Sequence, residues 1–126
     1  ENTDIYIVNS YGQTKSIYNI CKHVFLGGSL INHGGQNPLE ATRYGCNILH
    51  GPNIDNFKEI YKYLNELNVS IKINNTSQFI SKLDKLLAKN NNSKKIKIKL
   101  TKIGKEILNN TYNDIDQFLK NENYKT

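Results

Sequence analysis

HVFLGGSLINHGGQNPLEATRYG, residues His23–Gly45, is the stretch that decides how this chain folds. Its apolar opening, His23–Leu26, predicts a buried strand. Two glycine pairs follow, Gly27-Gly28 and Gly34-Gly35, and glycine lets a backbone approach a ligand closely because it has no Cβ. In open parallel sheets, ligands bind beyond the carboxyl ends of the strands. The sequence therefore predicts a ligand site where this strand ends.

A short helix is predicted after the glycines, over roughly Pro38 to Tyr44, with Gly45 just beyond its end. Asn37 is a favoured N-cap, Pro38 falls at the first helical position and Glu40 at the third, which makes a variant of the capping box. Unpaired N–H groups at the start of a helix attract anions. With the glycines, this pattern favours a nucleotide or sugar-phosphate site, and it matches neither the P-loop nor the G-x-G-x-x-G motif.

Strands and helices alternate on both sides of this stretch. Further strands are predicted at Asp4–Ser10, Asn47–Leu49 and Val69–Ile73. The helices between them are marked by apolar residues at helical spacing: Ile17, Ile20 and Cys21; Phe57, Ile60, Tyr61, Leu64 and Leu67; and Phe79, Ile80, Leu83, Leu86 and Leu87. Ser77 is the expected N-cap of the last of these helices. The alternation predicts a doubly wound, Rossmann-like α/β fold, with a parallel sheet covered on both faces.

The C-terminal part of the chain is predicted to be helical. The polar tract Asn90–Ser93 is expected to end the preceding helix, and two further helices are expected after it. Their apolar residues are Ile96, Leu100, Ile103 and Ile107 in one, and Tyr112, Ile115, Phe118 and Leu119 in the other. The run KKIKIKL also alternates like an edge strand, but the helical period continues through Ile107, so the helix is preferred.

Composition narrows the possible partners. The net charge of +6 comes almost wholly from lysine, since Arg43 is the only arginine. Such a charge suits anionic lipid, nucleic acid or a phosphorylated substrate, although most of these lysines are expected to be simply solvated. Nucleic acid is not expected as a partner, because forked arginines and stacking aromatics do not cluster. Cys21 and Cys46 lack metal-ligand spacing and are expected to be reduced core residues. No metal site and no cofactor are expected. No apolar run approaches the ~20 residues that span a bilayer.

At these motifs the sequence resembles the C-terminal domain of bacterial 3-deoxy-D-manno-octulosonic acid (Kdo) transferases. These are lipid A glycosyltransferases of the two-Rossmann-domain (GT-B) type. The matching pieces, in order, are Gly27-Gly28-Ser29-Leu30, Gly34-Gly35, Asn37-Pro38-Leu39-Glu40, Gly51-Pro52 and Asn56-Phe57. Further upstream, the segment around Gly12 is also similar to the family's sequence.

The resemblance implies transfer of Kdo from the donor CMP-Kdo to a lipid A precursor, in lipopolysaccharide synthesis at the cytoplasmic side of the inner membrane. It also implies contact with an anionic membrane surface. By residue, it places the CMP contacts at Tyr11, Gly12, Gln13, Asn37, Pro38, Leu39 and Glu40. Possible loop contacts are Gly27, Gly28, Ser29, Gly34 and Gly35. In this scheme the N–H groups near Asn37 face the phosphate, and Glu40 accepts hydrogen bonds from the ribose.

The sequence also departs from the family pattern. Gln13 stands where the family has a glutamate, Asn9 where it has an aspartate, and Gln36 and Asn53 where it has histidines. His33 is a candidate substitute for one of the missing histidines. Each replacement stays polar, so donor binding is expected to survive with altered affinity.

The domain organisation that the resemblance implies is incomplete. Residues 1–94 are expected to form the donor-binding domain, truncated at its N-terminus, and residues 95–126 to pack towards an absent N-terminal domain. The catalytic base belongs to that absent domain, so the fragment alone is expected to be inactive. The alternatives are a UDP-sugar glycosyltransferase or epimerase, a non-catalytic anion-binding or nucleic-acid-binding domain that uses the lysine surface, and a degenerate fragment without a ligand.

Overall fold

The computed structural model describes residues 3–89 and 93–122 of the chain. Its elements, in chain order, are α1 (Thr14–Ile20), β1 (His23–Leu26), α2 (Leu39–Arg43), β2 (Asn47–His50), a 3₁₀ turn (Asp55–Phe57), α3 (Lys58–Glu66), β3 (Ser70–Lys72), α4 (Thr76–Leu87) and α5 (Ser93–Glu122). None of the helices in these described ranges is long and apolar enough to cross a membrane.

The described strands form a three-stranded parallel sheet in the order β1-β2-β3. The first residues of β1 and β2, His23 and Asn47, are in register, and so are their last residues, Leu26 and His50. The carboxyl ends of both strands therefore lie at one edge of the sheet, and the loops that follow them start side by side. The prediction of a parallel α/β sheet is confirmed.

Helices cover both faces of the sheet, as predicted. Val24 and Ile48 lie on one face, in a cluster with residues from α1, α2 and α3, including Tyr61. Leu49 lies on the other face, under α4. On that face the rings of Phe25 and Phe79 meet edge to face, with centroids 5.6 Å apart. A further cluster buries Ile96 and Leu100 of α5 against α3.

The expected first strand, Asp4–Ser10, is wrong. This segment forms no strand and pairs with none among the described residues. Ile5 is 80% exposed and Ile7 81% exposed, so the apolar side chains that suggested a buried strand are uncovered. An alternating or apolar run identifies a strand only where a neighbouring strand accepts its hydrogen bonds, and that neighbour is not visible in a local pattern.

The expectation of two C-terminal helices is also wrong. A single helix, α5, runs for 30 residues from Ser93 to Glu122, which corresponds to about 45 Å. The lysine run KKIKIKL is helical, as preferred. Residues 90–92 of the expected polar break lie outside the described residues, and Ser93 is the first residue of α5. Apolar side chains from Ile107 to Leu119 are largely exposed in the outer half of the helix.

The N-cap of α4 differs from the expectation as well. Asn75, and not Ser77, caps this helix, because its side-chain oxygen accepts the N–H of Gln78 at 2.9 Å. The side-chain oxygen of Gln78 in turn accepts the N–H of Asn74 at 3.0 Å. Two residues of the first turn thus satisfy two backbone donors in a reciprocal cap.

Candidate functional site

The loop after β1 and the loop after β2 are joined through one fully buried serine. The Oγ of Ser29 donates to the carbonyl of Leu26 at 2.6 Å and accepts the N–H of Gly51 at 2.9 Å. Its carbonyl oxygen accepts the backbone N–H of Asn53 at 2.9 Å and the Asn53 side-chain amide at 3.3 Å. Ser29 therefore fixes the two loops against each other, and both its hydroxyl and its carbonyl oxygen are used within the protein.

Two glycines allow this close approach. A Cβ on Gly51 would overlap the Ser29 carbonyl group. Gly34 has a φ of +85°, and a Cβ there would overlap the side-chain amide of Asn56. The N–H of Asn56 in turn donates to the Gly34 carbonyl at 3.3 Å. These glycines serve the packing of one loop on the other, in a conformation and a space that other residues do not fit.

The predicted loop contacts therefore fall into two groups. Gly34 and Gly35 are buried, like Ser29. Gly27 is exposed and Gly28 is half-buried. Of the five predicted residues, only the first glycine pair presents backbone to the solvent at the edge where β1 ends.

The predicted capping box at the start of α2 is wrong: the N-cap residue is Pro38 and not Asn37, and it makes no side-chain cap bond. The Asn37 side-chain oxygen accepts the N–H of Leu39 at 3.0 Å. The helix begins at Leu39, one residue later than predicted. Among the described residues the exposed carboxylate of Glu40 makes no hydrogen bond and no ion pair. The expected return bond from Glu40 is therefore absent, and its carboxylate is available to a ligand.

Pro38 contributes to the scaffold of this site. Its ring is fully buried. Its carbonyl oxygen accepts both the N–H and the hydroxyl of Thr42, each at 3.1 Å. Because proline has no N–H, Pro38 has no polar group left for a ligand, and Leu39, which is half-buried, presents only its apolar side chain.

Backbone donors remain open beside this helix start. The N–H groups of Asn37 and Glu40 have no acceptor among the described residues, and both residues are exposed. Since α2 has only five residues, these local donors matter more than a dipole summed along the helix. The geometry thus offers two free N–H groups and one free carboxylate within four residues of chain.

The other predicted donor segment lies at the start of α1. Tyr11, Gly12 and Gln13 are all exposed. Helix α1 packs beside α2, where the rings of Tyr18 and Tyr44 lie 6.4 Å apart. Burial raises the pKa of Tyr18, and the nearby carboxylate of Glu40 raises it further. The two predicted segments therefore lead into neighbouring helices, although no hydrogen bond joins them among the described residues.

Sequence reasoning missed a buried histidine at this edge. His50, the last residue of β2, is buried, and its Nδ1 lies 2.7 Å from the Gly51 carbonyl oxygen. That oxygen can only accept, so Nδ1 carries the proton. Burial is the main cause that lowers the His50 pKa. The only signal in the sequence was a polar residue at the end of a buried strand.

Tyr61 links His50 to the glycine loop. The two rings lie 4.3 Å apart, and the Tyr61 hydroxyl donates to the carbonyl of Gln36 at 3.0 Å. Burial raises the pKa of Tyr61 to about 12, so its hydroxyl stays protonated as a donor. The side chain of Gln36 and that of His33 are both exposed. The residue before Asn37 is therefore held by its backbone, and its side chain faces solvent.

Comparisons with known proteins identify relatives of this chain. No family model matches it. The 3-deoxy-D-manno-octulosonic acid transferase of Haemophilus influenzae is 33% identical over 108 residues, which are 86% of this chain and 25% of that protein. The enzyme of the same name from Aquifex aeolicus is 27% identical over 117 residues, 93% of this chain and 32% of that protein. A bifunctional glycosyltransferase/methyltransferase of Fusobacterium nucleatum is 26% identical over 93 residues, 74% of this chain and 14% of that protein.

The chain spans 25% and 32% of the length of these two Kdo transferases. The similarity covers most of the described fold, including the two loops that Ser29 joins. Over most of its length, this chain resembles one part of the Kdo transferases.

Proposed function

We propose that this chain is the donor-binding part of a glycosyltransferase that moves Kdo from CMP-Kdo to a lipid A precursor. The observation that supports this most directly is the junction of the two loops by Ser29, beside free N–H groups at Asn37 and Glu40. The resemblance to Kdo transferases supports the choice of sugar.

In this proposal the exposed residues of the site hold the CMP group of the donor. The N–H groups of Asn37 and Glu40 donate to the phosphate oxygens, and the Glu40 carboxylate accepts hydrogen bonds from the ribose hydroxyls. Gln13, which is neutral, adds a side-chain amide from the residue just before α1. The first glycine pair lets the ligand lie close to the backbone. Ser29, Gly34 and Gly51 do not touch the donor but keep the two loops in place.

The chemistry of transfer needs a second set of groups. The acceptor hydroxyl attacks the anomeric carbon of Kdo, the bond from that carbon to the phosphate oxygen breaks, and CMP leaves. A base must take the proton of the attacking hydroxyl. We assign that base and the acceptor site to another part of the full-length protein. The exposed apolar side chains between Ile107 and Leu119 support packing of the outer half of α5 against that part.

The proposed location is the cytoplasmic side of the bacterial inner membrane, where a lipid A precursor would be reached. The net charge of +6 suits an anionic membrane surface.

The test is a titration of the purified chain with CMP and UDP, followed by calorimetry or NMR. We expect CMP to bind more tightly than UDP. A clear preference for UDP would replace the Kdo assignment by a UDP-sugar transferase or epimerase. Binding of neither nucleotide would contradict the donor site itself.

Glu40→Ala tests the assignment to the ribose. Glu59 offers a matched control, because it too is an exposed glutamate in the first turn of a helix. We expect Glu40→Ala to weaken CMP at least about tenfold, as for loss of a charge-assisted hydrogen bond, and Glu59→Ala to leave it unchanged. Equal CMP affinity in both variants would remove Glu40 from the site.

The purified chain is also expected to show no Kdo transfer, since its described residues include no assigned base. Transfer of radiolabelled Kdo to a lipid A precursor by this chain alone would contradict the division of labour proposed above.

A further inference from the structure

The first half of α5 carries an unusual concentration of positive charge. Residues 93–105 contain six lysines and no acidic residue. Five of the six, Lys94, Lys95, Lys99, Lys102 and Lys105, are exposed. Within the described ranges the ion pairs join Lys58 to Asp55 and Lys120 to Asp116, so none of these five lysines is neutralised by a neighbouring carboxylate.

These lysines surround an exposed aliphatic side chain. Ile96, Leu100 and Ile103 turn one side of α5 towards the protein. At 100° per residue, Lys94, Ile98, Lys102 and Lys105 lie on the opposite side. Ile98 is 61% exposed, and with Lys102 and Lys105 it lines a shallow cavity of about 420 Å³. We call this surface, formed by Lys94, Lys102 and Lys105 with Ile98, the lysine face.

An apolar groove adjoins the lysine face. It has a volume of about 610 Å³ and lies between α2, α3 and α5. Its apolar lining is Leu39, Ile60, Tyr63, Leu100, Ile103 and Ile107. The charged residues that line the groove are two cations, Arg43 and Lys97, and one anion, Glu59. Lys97 and Thr101 also line the cavity beside Ile98. A cationic surface and an aliphatic one therefore share an edge.

We propose that the lysine face is a docking surface for an anionic lipid bilayer. Lysine ammonium groups contact phosphate-bearing headgroups, while their aliphatic stems and Ile98 reach the less polar layer below. The groove lies on the flank of α5 that Leu100 and Ile103 turn towards the protein, so it is outside this contact.

A bilayer fits this surface better than other polyanions. Nucleic-acid surfaces favour arginine forks and stacking aromatics, but residues 93–105 contain neither arginine nor an aromatic side chain. Nucleic acid also offers no apolar layer to Ile98. Lipid is the polyanion that presents both negative charge and hydrocarbon. The choice of lipid also rests on the proposed function, in which the acceptor is a membrane lipid.

Co-sedimentation with vesicles tests the proposal. The probes are vesicles of phosphatidylcholine alone and of phosphatidylcholine with about one third phosphatidylglycerol. We expect the purified chain to bind the anionic vesicles, to release them as NaCl is raised, and to bind the neutral vesicles much more weakly. Equal binding to both vesicle types, or no binding to either, would overturn the proposal.

Two triple variants locate the surface. Lys94→Gln, Lys102→Gln and Lys105→Gln together remove three charges from the lysine face. Lys82→Gln, Lys85→Gln and Lys89→Gln remove the same charge from exposed positions on and just after α4, at the other side of the sheet. Each lysine near an anionic membrane strengthens binding about fivefold. The affinity for anionic vesicles should therefore fall at least about tenfold more in the first variant than in the second.

Equal losses in the two variants would show that only net charge matters, and would overturn the docking surface. Tighter binding to homopolymeric RNA than to anionic vesicles in the same buffer would overturn it in favour of nucleic acid. The CMP titration is repeated on the first variant to keep the two proposals apart. Loss of vesicle binding with unchanged CMP affinity supports the lysine face, and failure of CMP binding in the parent chain leaves the vesicle result standing.

Discussion

The hydroxyl of Ser29 and the backbone N–H of Gly51 meet at 2.9 Å, in a fully buried position between the loops that follow β1 and β2. The same hydroxyl donates to Leu26 at 2.6 Å, so the bond ties both loops to the end of the first strand. Removing this hydroxyl would leave a buried donor and a buried acceptor without partners, and that cost is measurable.

Ser29→Ala is expected to lower the free energy of unfolding by about 1–3 kcal/mol, the cost of leaving buried polar groups unsatisfied. Urea unfolding, monitored by circular dichroism, measures this change in the free energy of unfolding. Ser77→Ala is the matched control, because Ser77 is exposed and does not cap α4, so its change should stay within about 0.5 kcal/mol. If both variants were as stable as the parent chain, the loop junction would not have the structural role assigned to it.

Gly34 and Gly27 should respond in opposite ways to alanine. Gly34 has a φ of +85° and faces the Asn56 side chain, whereas a Cβ on Gly27 meets no atom within 4 Å. We expect Gly34→Ala to destabilise by about 1–3 kcal/mol and Gly27→Ala to be neutral, or stabilising by less than about 1 kcal/mol. The same urea assay compares them. A Gly27→Ala variant that is the less stable of the two would contradict the packing of the loops.

His50 should make stability depend on pH. Burial lowers its pKa below the ordinary value of 6.5, so the unfolded chain takes up the proton at a higher pH than the folded chain. The stabilisation is therefore complete above 6.5 and is lost as pH falls from there through the lowered pKa of the folded state. The slope in that window can reach about 1.4 kcal/mol per pH unit for one group.

Unfolding in urea between about pH 5 and pH 8 measures this slope. His50→Gln should flatten it, and the slope that remains should come from His23, whose pKa is lowered by burial and by Lys22. His33→Gln, at an exposed position, serves as the control and should keep the slope of the parent chain. An unchanged slope in His50→Gln would exclude His50 as its source.

The two free thiols should react at different rates. Cys46 is fully buried, and its Sγ donates to the carbonyl groups of Tyr18 and Cys21 at 3.3 and 3.2 Å. Burial raises the pKa of the Cys46 thiol to about 11, so only about one thiol in a thousand is ionised at pH 8. Alkylation by iodoacetamide, followed by mass spectrometry, should therefore modify Cys21 first. Faster modification of Cys46 would mean that this part of the core opens readily.

Local patterns predicted most of the fold correctly. The strands β1, β2 and β3 and the helices α1 to α4 could be placed because apolar residues recur at the spacing of each element. The prediction of a first strand was wrong because Asp4–Ser10 has the composition of a strand but pairs with no other strand among the described residues. The two predicted C-terminal helices are one helix, α5. Gly104 and the asparagines near its middle weaken a helix without breaking it, and α5 contains no proline.

The candidate site was predicted in part. Asn37 and Glu40 lie exposed at the start of α2, where the sequence placed them. The role of Ser29 could not be predicted, because it depends on a contact with Gly51, 22 residues away in the chain. The burial of His50 could not be predicted for the same reason, since it depends on Tyr61, which packs against the His50 ring on one face of the sheet.

Within the described chain β1 pairs only with β2, and its other side bears no strand. A parallel strand with one free side exposes a regular row of amide hydrogens and carbonyl oxygens, to which an extended segment of another molecule can bond. The uncovered isoleucines at positions 5 and 7 supply such a segment. Concentrated solutions of the isolated chain should therefore grow thioflavin-positive aggregates by sideways addition, and the growth rate should rise with protein concentration.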